Sequence, residues 1–96
     1  LSQVSLAQIT SEVSKTYGVT EKQLMSKTRK MEVAQARHIS MFLCRDMTSC
    51  SLLSIGAYFG KRDHSTVIHA CKTIEEKIAN DSSFSKDIKN IKNQLI

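Results

Sequence analysis

Apolar side chains recur along this chain every three or four positions, a spacing that places them on one face of successive α-helices. Leu6, Ile9, Val13 and Tyr17 form the first such stripe, with Ser5 placed to cap its start and Gly18 to end it. Thr20 caps a short second helix, Glu21 to about Met25, in which Leu24 and Met25 face inward. Ser26 to Lys30 breaks the pattern as a polar, basic loop. From about Glu32 to Met47 apolar residues cover more than one face, as expected of a central, buried helix. Ser51 caps a brief helix ending near Tyr58, and Phe59-Gly60-Lys61-Arg62 reads as a turn. Asp63 caps the next helix, where Val67, Ala70, Cys71, Ile74 and Ile78 make the core stripe. Asp81 or Ser82 starts a last helix with Phe84, Ile88, Ile91 and Leu95 inward.

Composition agrees with this reading. The chain has 96 residues, 41% of them apolar, no proline and three glycines, so few helix breakers interrupt it. That length encloses one core and not two. The expectation is an all-α fold of about six helices forming one domain over residues 1–96, with residues 1–5 as a linker remnant. A chain that begins at Leu1 is also read as a piece of a longer protein. Cys44, Cys50 and Cys71 are odd in number and lack CxxC spacing, which favours reduced thiols over a disulfide framework or zinc knuckle. Neither a signal peptide nor an apolar run of membrane-spanning length is visible. A cytoplasmic location without a membrane partner follows as the expectation.

The net charge of +5 attracts polyanions without identifying one, so placement matters more than the total. Lys27, Arg29, Lys30 and Arg37 are close in sequence, as are Lys61 and Arg62, whereas Lys86, Lys89 and Lys92 are spread along the last helix. The segment GKRDHSTVIHAC, Gly60 to Cys71, joins a basic turn to a polar helix start. Unpaired N–H groups and the positive end of the helix dipole suit such a start to a phosphate-bearing partner. A short helix, a glycine-containing turn and a second helix is the layout that sets a recognition helix in a DNA major groove, though structural bundles use it too.

At about 100° per residue, Arg62, Ser65, His69 and Lys72 fall opposite the core stripe, with His64 and Thr66 on its flanks. Ser65 and Thr66 can exchange hydrogen bonds with base edges, His64 can stack on or bond a base, and Asp63 can accept from cytosine while capping. His69 is better placed for a phosphate. Asp63, His64 and Ser65 contain the residue types of a hydrolytic triad, but consecutive helical residues point too far apart to form its relay. His64 and His69 are five residues apart, and Cys71 lies on the core stripe, so metal ligation is disfavoured.

Phe59 to Cys71, FGKRDHSTVIHAC, resembles the motif of the C-terminal DNA-binding domain of the bacterial replication initiators of the DnaA family. Leu24 to Gly56, LMSKTRKMEVAQARHISMFLCRDMTSCSLLSIG, is similar to the family's basic loop, central helix and first helix of the helix-turn-helix. The resemblance implies binding to a short asymmetric origin sequence, the DnaA box, as double-stranded DNA. It places Arg29 in the minor groove, Arg37 at a further DNA contact, and Asp63, His64, Ser65 and Thr66 at base edges in the major groove. His38 stands where the family usually has glutamine and joins the expected base readers. Backbone contacts are expected from Lys27, Lys30, Arg45, Thr48, Ser51, Lys61, Arg62, His69 and Lys72. Further departures are Ser65 for threonine, Lys61 for glycine and Leu53 for proline, with Thr28, Met31 and Glu32 diluting the basic loop.

No GxxxxGK[ST] phosphate loop occurs in the chain. The domain is therefore expected to be non-enzymatic and without a cofactor, with ATP, magnesium and ATP-dependent assembly belonging to another part of the full-length protein. The isolated domain is expected to act as a monomer in the nucleoid, with regulatory protein partners in the whole protein. Two alternatives remain open: a dimeric helix-turn-helix transcription regulator, and a helical protein-interaction module using Ile68 and the last helix.

Overall fold

A computed structural model describes residues 4–96, which form α1 (Leu6–Tyr17), α2 (Glu21–Met25), α3 (Met31–Met47), α4 (Leu52–Tyr58), α5 (His64–Asn80) and α6 (Ser82–Leu95). Of the stretch 1–5 read as linker, residues 1–3 lie outside the described residues, whereas Ser5 caps α1. Its hydroxyl accepts from the Gln8 N–H, and the Gln8 side chain accepts from the Ser5 N–H in return. Thr20 and Gln23 repeat this box at α2. Ser51, Asp63 and Asp81 cap α4, α5 and α6.

The central element is α3. Val33, Ala36, Ile39, Met41 and Leu43 are all buried, so this helix meets neighbours on more than one side. It packs most extensively against α5 and α1, and α6 lies across α1 and α5. Ile9 and Val13 of α1, Val67 and Ile74 of α5, and Phe84, Ile88 and Ile91 of α6 complete one core. Burying each such side chain stabilises the domain by about 1.5–3 kcal/mol before the entropy of ordering it is subtracted. Two placements differ from the sequence reading. Phe59, assigned to the turn, is fully buried beneath it, while Ile78 at the end of the α5 stripe is only half-buried.

The turn between α4 and α5 is held by two main-chain hydrogen bonds. Arg62 N–H donates to the Gly56 carbonyl at 2.8 Å, and Lys61 N–H donates to Ala57 at 3.2 Å. Gly60 and Lys61 follow one another in left-handed conformation, at φ 83° and 60°. Glycine adopts that region freely, whereas a Cβ costs about 1 kcal/mol there. Lys61→Gly is therefore expected to raise stability by about 1 kcal/mol, seen as an increase of about 4–8 °C in the thermal midpoint. An unchanged or lower midpoint would show that the lysine side chain makes compensating contacts.

Candidate nucleic-acid interface

The start of α5 is built by its cap. Asp63 has extended backbone geometry, and its carboxylate accepts from both the N–H and the hydroxyl of Ser65 at 2.6 Å. These bonds hold the Asp63 carboxyl below its usual range, the Ser65 hydroxyl contributing most. Ser65 thus spends its proton on Asp63 and keeps its oxygen free to accept. Asp63, His64, Ser65, Thr66, His69 and Lys72 are all exposed, and Val67, Ala70 and Cys71 turn into the core as the stripe requires.

Beside this helix start lies a groove of about 610 Å³. Lys27, Thr28 and Arg29 border it from the loop after α2, Ala34, Arg37 and His38 from α3, and Gly60, Lys61 and Arg62 from the turn. Among the described residues no acidic side chain lines it. The fold therefore brings together two basic clusters that are well separated in sequence, and a concave surface of one sign concentrates the field on an anionic ligand.

The loop itself is shaped by short polar side chains. Ser26 Oγ donates to the Gln23 carbonyl at 2.7 Å and accepts from the Thr28 N–H at 3.4 Å, while Thr28 Oγ1 accepts from the Lys30 N–H at 3.4 Å. Lys27, Arg29 and Lys30 are left exposed on its outer side.

Arg37, which the resemblance places at a DNA contact, has its side chain folded inward. Its side chain is 5% exposed, and its guanidinium donates to four main-chain carbonyls: Nε to Leu24 at 2.7 Å, Nη1 to Thr28 at 3.2 Å, and Nη2 to Gln23 at 3.1 Å and Ser26 at 2.9 Å. A guanidinium has five N–H groups, so almost all of its donor capacity is consumed inside the protein. Arg62, expected on the DNA backbone, is likewise turned inward: Nη2 donates to Ser26 at 2.8 Å and Nη1 to the Phe59 carbonyl. Burial lowers the pKa of both arginines, and the Arg62 charge adds to the effect at Arg37.

Arg45, Thr48 and Ser51 do not border the groove. They lie at the junction of α3 and α4, where Thr48 Oγ1 donates to the Cys44 carbonyl and accepts from the Cys50 N–H. Cys44 is buried, which pushes its thiol up to about 12, and burial also raises Cys71. Among the described residues no three or more His, Cys, Asp or Glu side chains are grouped to hold a metal, and no helix is long and apolar enough to cross a membrane.

His38 is half-buried between these cations, and its pKa is lowered by desolvation first and then by Arg37, His69 and Arg62. In the unfolded chain it protonates near the ordinary value of about 6.5, above its folded value. The unfolded state thus binds more protons in that interval, and stability must fall as pH drops through it. The contribution is complete above about pH 6.5 and is lost as pH passes through the folded pKa. The expected result is a thermal midpoint that declines from about pH 7.5 to about pH 5 and declines less in His38→Gln. Equal declines in the two proteins would assign the effect elsewhere. Asp63 titrates in a lower window, since a depressed carboxyl loses its contribution only in acid.

The residues that sequence reasoning missed are glycines and a carbonyl. Gly56 sits within α4 where a Cβ would lie 2.2 Å from the Arg62 carbonyl oxygen, and a Cβ on Gly60 would lie 2.5 Å from that of Met25. A lone glycine inside a helical pattern was the available signal for close backbone approach at Gly56.

The family described as Bacterial dnaA protein helix-turn-helix matches residues 6–74. The chromosomal replication initiator protein DnaA of Chlorobaculum tepidum is 43% identical over 93 residues, covering 97% of this chain and 19% of that protein. The protein of the same name from Enterococcus faecalis is 46% identical over 93 residues, covering 97% and 21%. This chain therefore spans about a fifth of the length of these curated relatives. A crystal structure described as a DNA replication initiation factor superposes with a TM-score of 0.84 at 34% identity, covering 94% of this chain and 27% of that one.

Proposed function

This chain belongs to the bacterial DnaA helix-turn-helix family, and on that premise we propose that it binds double-stranded DNA in the initiation of chromosome replication. The observation that carries the reading is the juxtaposition of the exposed α5 start with a groove rich in basic residues. The helix start enters the major groove, where His64, Ser65 and Thr66 read base edges and Asp63 accepts from a base while capping. Arg29 reaches from the loop into the adjacent minor groove, whose narrow form concentrates negative potential. Lys27, Lys30, Lys61, His69 and Lys72 meet phosphates beside the groove, and Arg45, Thr48 and Ser51 meet them at the α3–α4 junction. His38 contributes through one donor at the groove edge.

The target is one asymmetric box bound by a monomer, in the cytoplasm and on the nucleoid. Catalysis lies outside this role. ATP and magnesium are expected to act on another part of the full-length protein, since this chain has no phosphate-loop motif. Regulatory partners are likewise a matter for the full-length protein.

Binding-site selection with this chain, starting from random duplex at low salt, tests the reading. Enrichment of an asymmetric TTATCCACA-like site is expected. An inverted repeat would favour a dimeric transcription regulator, whose half-sites lie about one helical turn apart. Failure to retain any duplex would favour a protein-interaction module.

A further inference from the structure

We propose that Arg37 and Arg62 clasp the Ser26 carbonyl so as to set the distance between the basic loop and the recognition helix, making both of them positioning residues for DNA sequence choice. The proposal rests on the DNA-binding reading above. Its basis is one acceptor shared by two arginines from different elements: Nη2 of Arg37 at 2.9 Å from α3, and Nη2 of Arg62 at 2.8 Å from the turn.

Placing two guanidinium groups against one carbonyl brings like charges together, and Arg62 does lower the Arg37 pKa. Such an arrangement persists only where the charged N–H groups find enough carbonyl oxygen, and here they do. Arg37 also holds Gln23, Leu24 and Thr28, so it ties the end of α2 to the first half of the loop, while Arg62 also holds Phe59. Donors that carry charge make the stronger class of hydrogen bond, and the planar guanidinium fork fixes direction as well as distance. Gly60 reinforces the contact from the other side, because its lack of a Cβ lets the turn backbone approach the Met25 carbonyl.

The consequence is geometric. Ser26 lies three residues before Arg29, and Arg62 immediately precedes the Asp63 cap. A single junction therefore fixes the root of the minor-groove side chain and the root of the major-groove helix. The separation between the two reading elements becomes a property of the folded domain, established before DNA arrives. That preorganisation favours sites with the matching separation and disfavours the rest.

Arg37→Lys and Arg62→Lys test this, since lysine retains the charge but its single nitrogen cannot bridge the same carbonyls. Affinity is measured for the selected site, for random duplex, and for a site whose minor-groove-read portion is shifted by one base pair. The expected result for Arg37→Lys is a fall of about tenfold in preference for the selected site over random duplex, with the shifted site relatively better tolerated than by wild type. In an Arg29→Ala background the same substitution should cost little further preference, because the clasp acts through that side chain.

Additive losses with Arg29→Ala, or equal losses on all three duplexes, would overturn the proposal in favour of a direct DNA contact or a purely structural role. Circular dichroism establishes that each variant is folded. If Arg37→Lys is not, Arg62→Lys carries the test alone, and unchanged preference in that variant overturns the proposal. Wild type that prefers no site would instead refute DNA sequence reading itself, and the clasp's proposed role with it.

Discussion

Gly56→Ala is expected to destabilise this domain by about 3 kcal/mol, against the direction that helix propensity alone gives. Gly56 lies inside α4, and replacing an ordinary helical glycine by alanine stabilises by roughly 0.5–1 kcal/mol. Contact reverses the sign. The new Cβ would sit 2.2 Å from the main-chain oxygen of Arg62, which no rotamer change can move aside, and 3.1 Å from its carbonyl carbon. Relief requires displacement of the turn that also carries the 2.8 Å hydrogen bond from Arg62 N–H back to Gly56. A domain of this size has only about 5–15 kcal/mol of stability, so the loss should lower the thermal midpoint by more than about 10 °C.

Gly18→Ala supplies the control. Gly18 is left-handed at φ 67° but has no atom within 4 Å of an added Cβ, so its substitution costs backbone strain alone, about 1 kcal/mol. Urea denaturation of both variants separates conformation from collision. A Gly56→Ala protein as stable as wild type would mean that the turn yields easily, and the rigid link from α4 to α5 would have to be abandoned.

Gly56 also shows where sequence stops being legible. Five helices were visible from apolar residues and a cap, because Ser5, Thr20, Ser51, Asp63 and Asp81 each satisfy local N–H groups within three residues, whereas α3, which starts after Lys30 without a side-chain cap bond, was visible from its apolar residues alone. Local chemistry of that kind is written in adjacent positions. The approach of Gly56 to Arg62, of Gly60 to Met25, and of two arginines to Ser26 depends on how elements meet, and no short window records it.

Arg37 is the clearest case. Its position on α3 was plain, yet a long cationic side chain on a helix buried on several faces can run outward to solvent or inward to carbonyls. The carbonyls come from the α2 end and the loop, which the helix itself cannot specify. Helical phase did place Ser65, His69 and Lys72 on the outer face, with Thr66 on its flank, because the core stripe from Val67 to Ile74 leaves them exposed.

Arg29→Ala and Lys72→Ala should divide sequence preference from general affinity. Both side chains are exposed and cationic, and composition alone makes them equivalent. Their settings differ. Arg29 stands on the loop at the rim of the basic groove, where it can enter a minor groove adjacent to the docked helix. Lys72 lies two turns into α5, beyond the helix start that faces base edges, where a phosphate is the accessible group. Loss of Arg29 is expected to cost about 1–3 kcal/mol on the selected site and less on random duplex. Loss of Lys72 should weaken both alike and reduce the slope of log affinity against log salt by about 1. Arg29→Lys sharpens the comparison, since it retains the charge and hence the salt slope while giving up the planar, multi-donor group that fits a narrow groove. Fluorescence titration of both duplexes across a salt series reads all three variants. Equal loss of site preference in Arg29→Ala and Lys72→Ala would reduce Arg29 to one more phosphate contact. The minor-groove role, and with it the need to hold the loop at a fixed distance from α5, would then fall together.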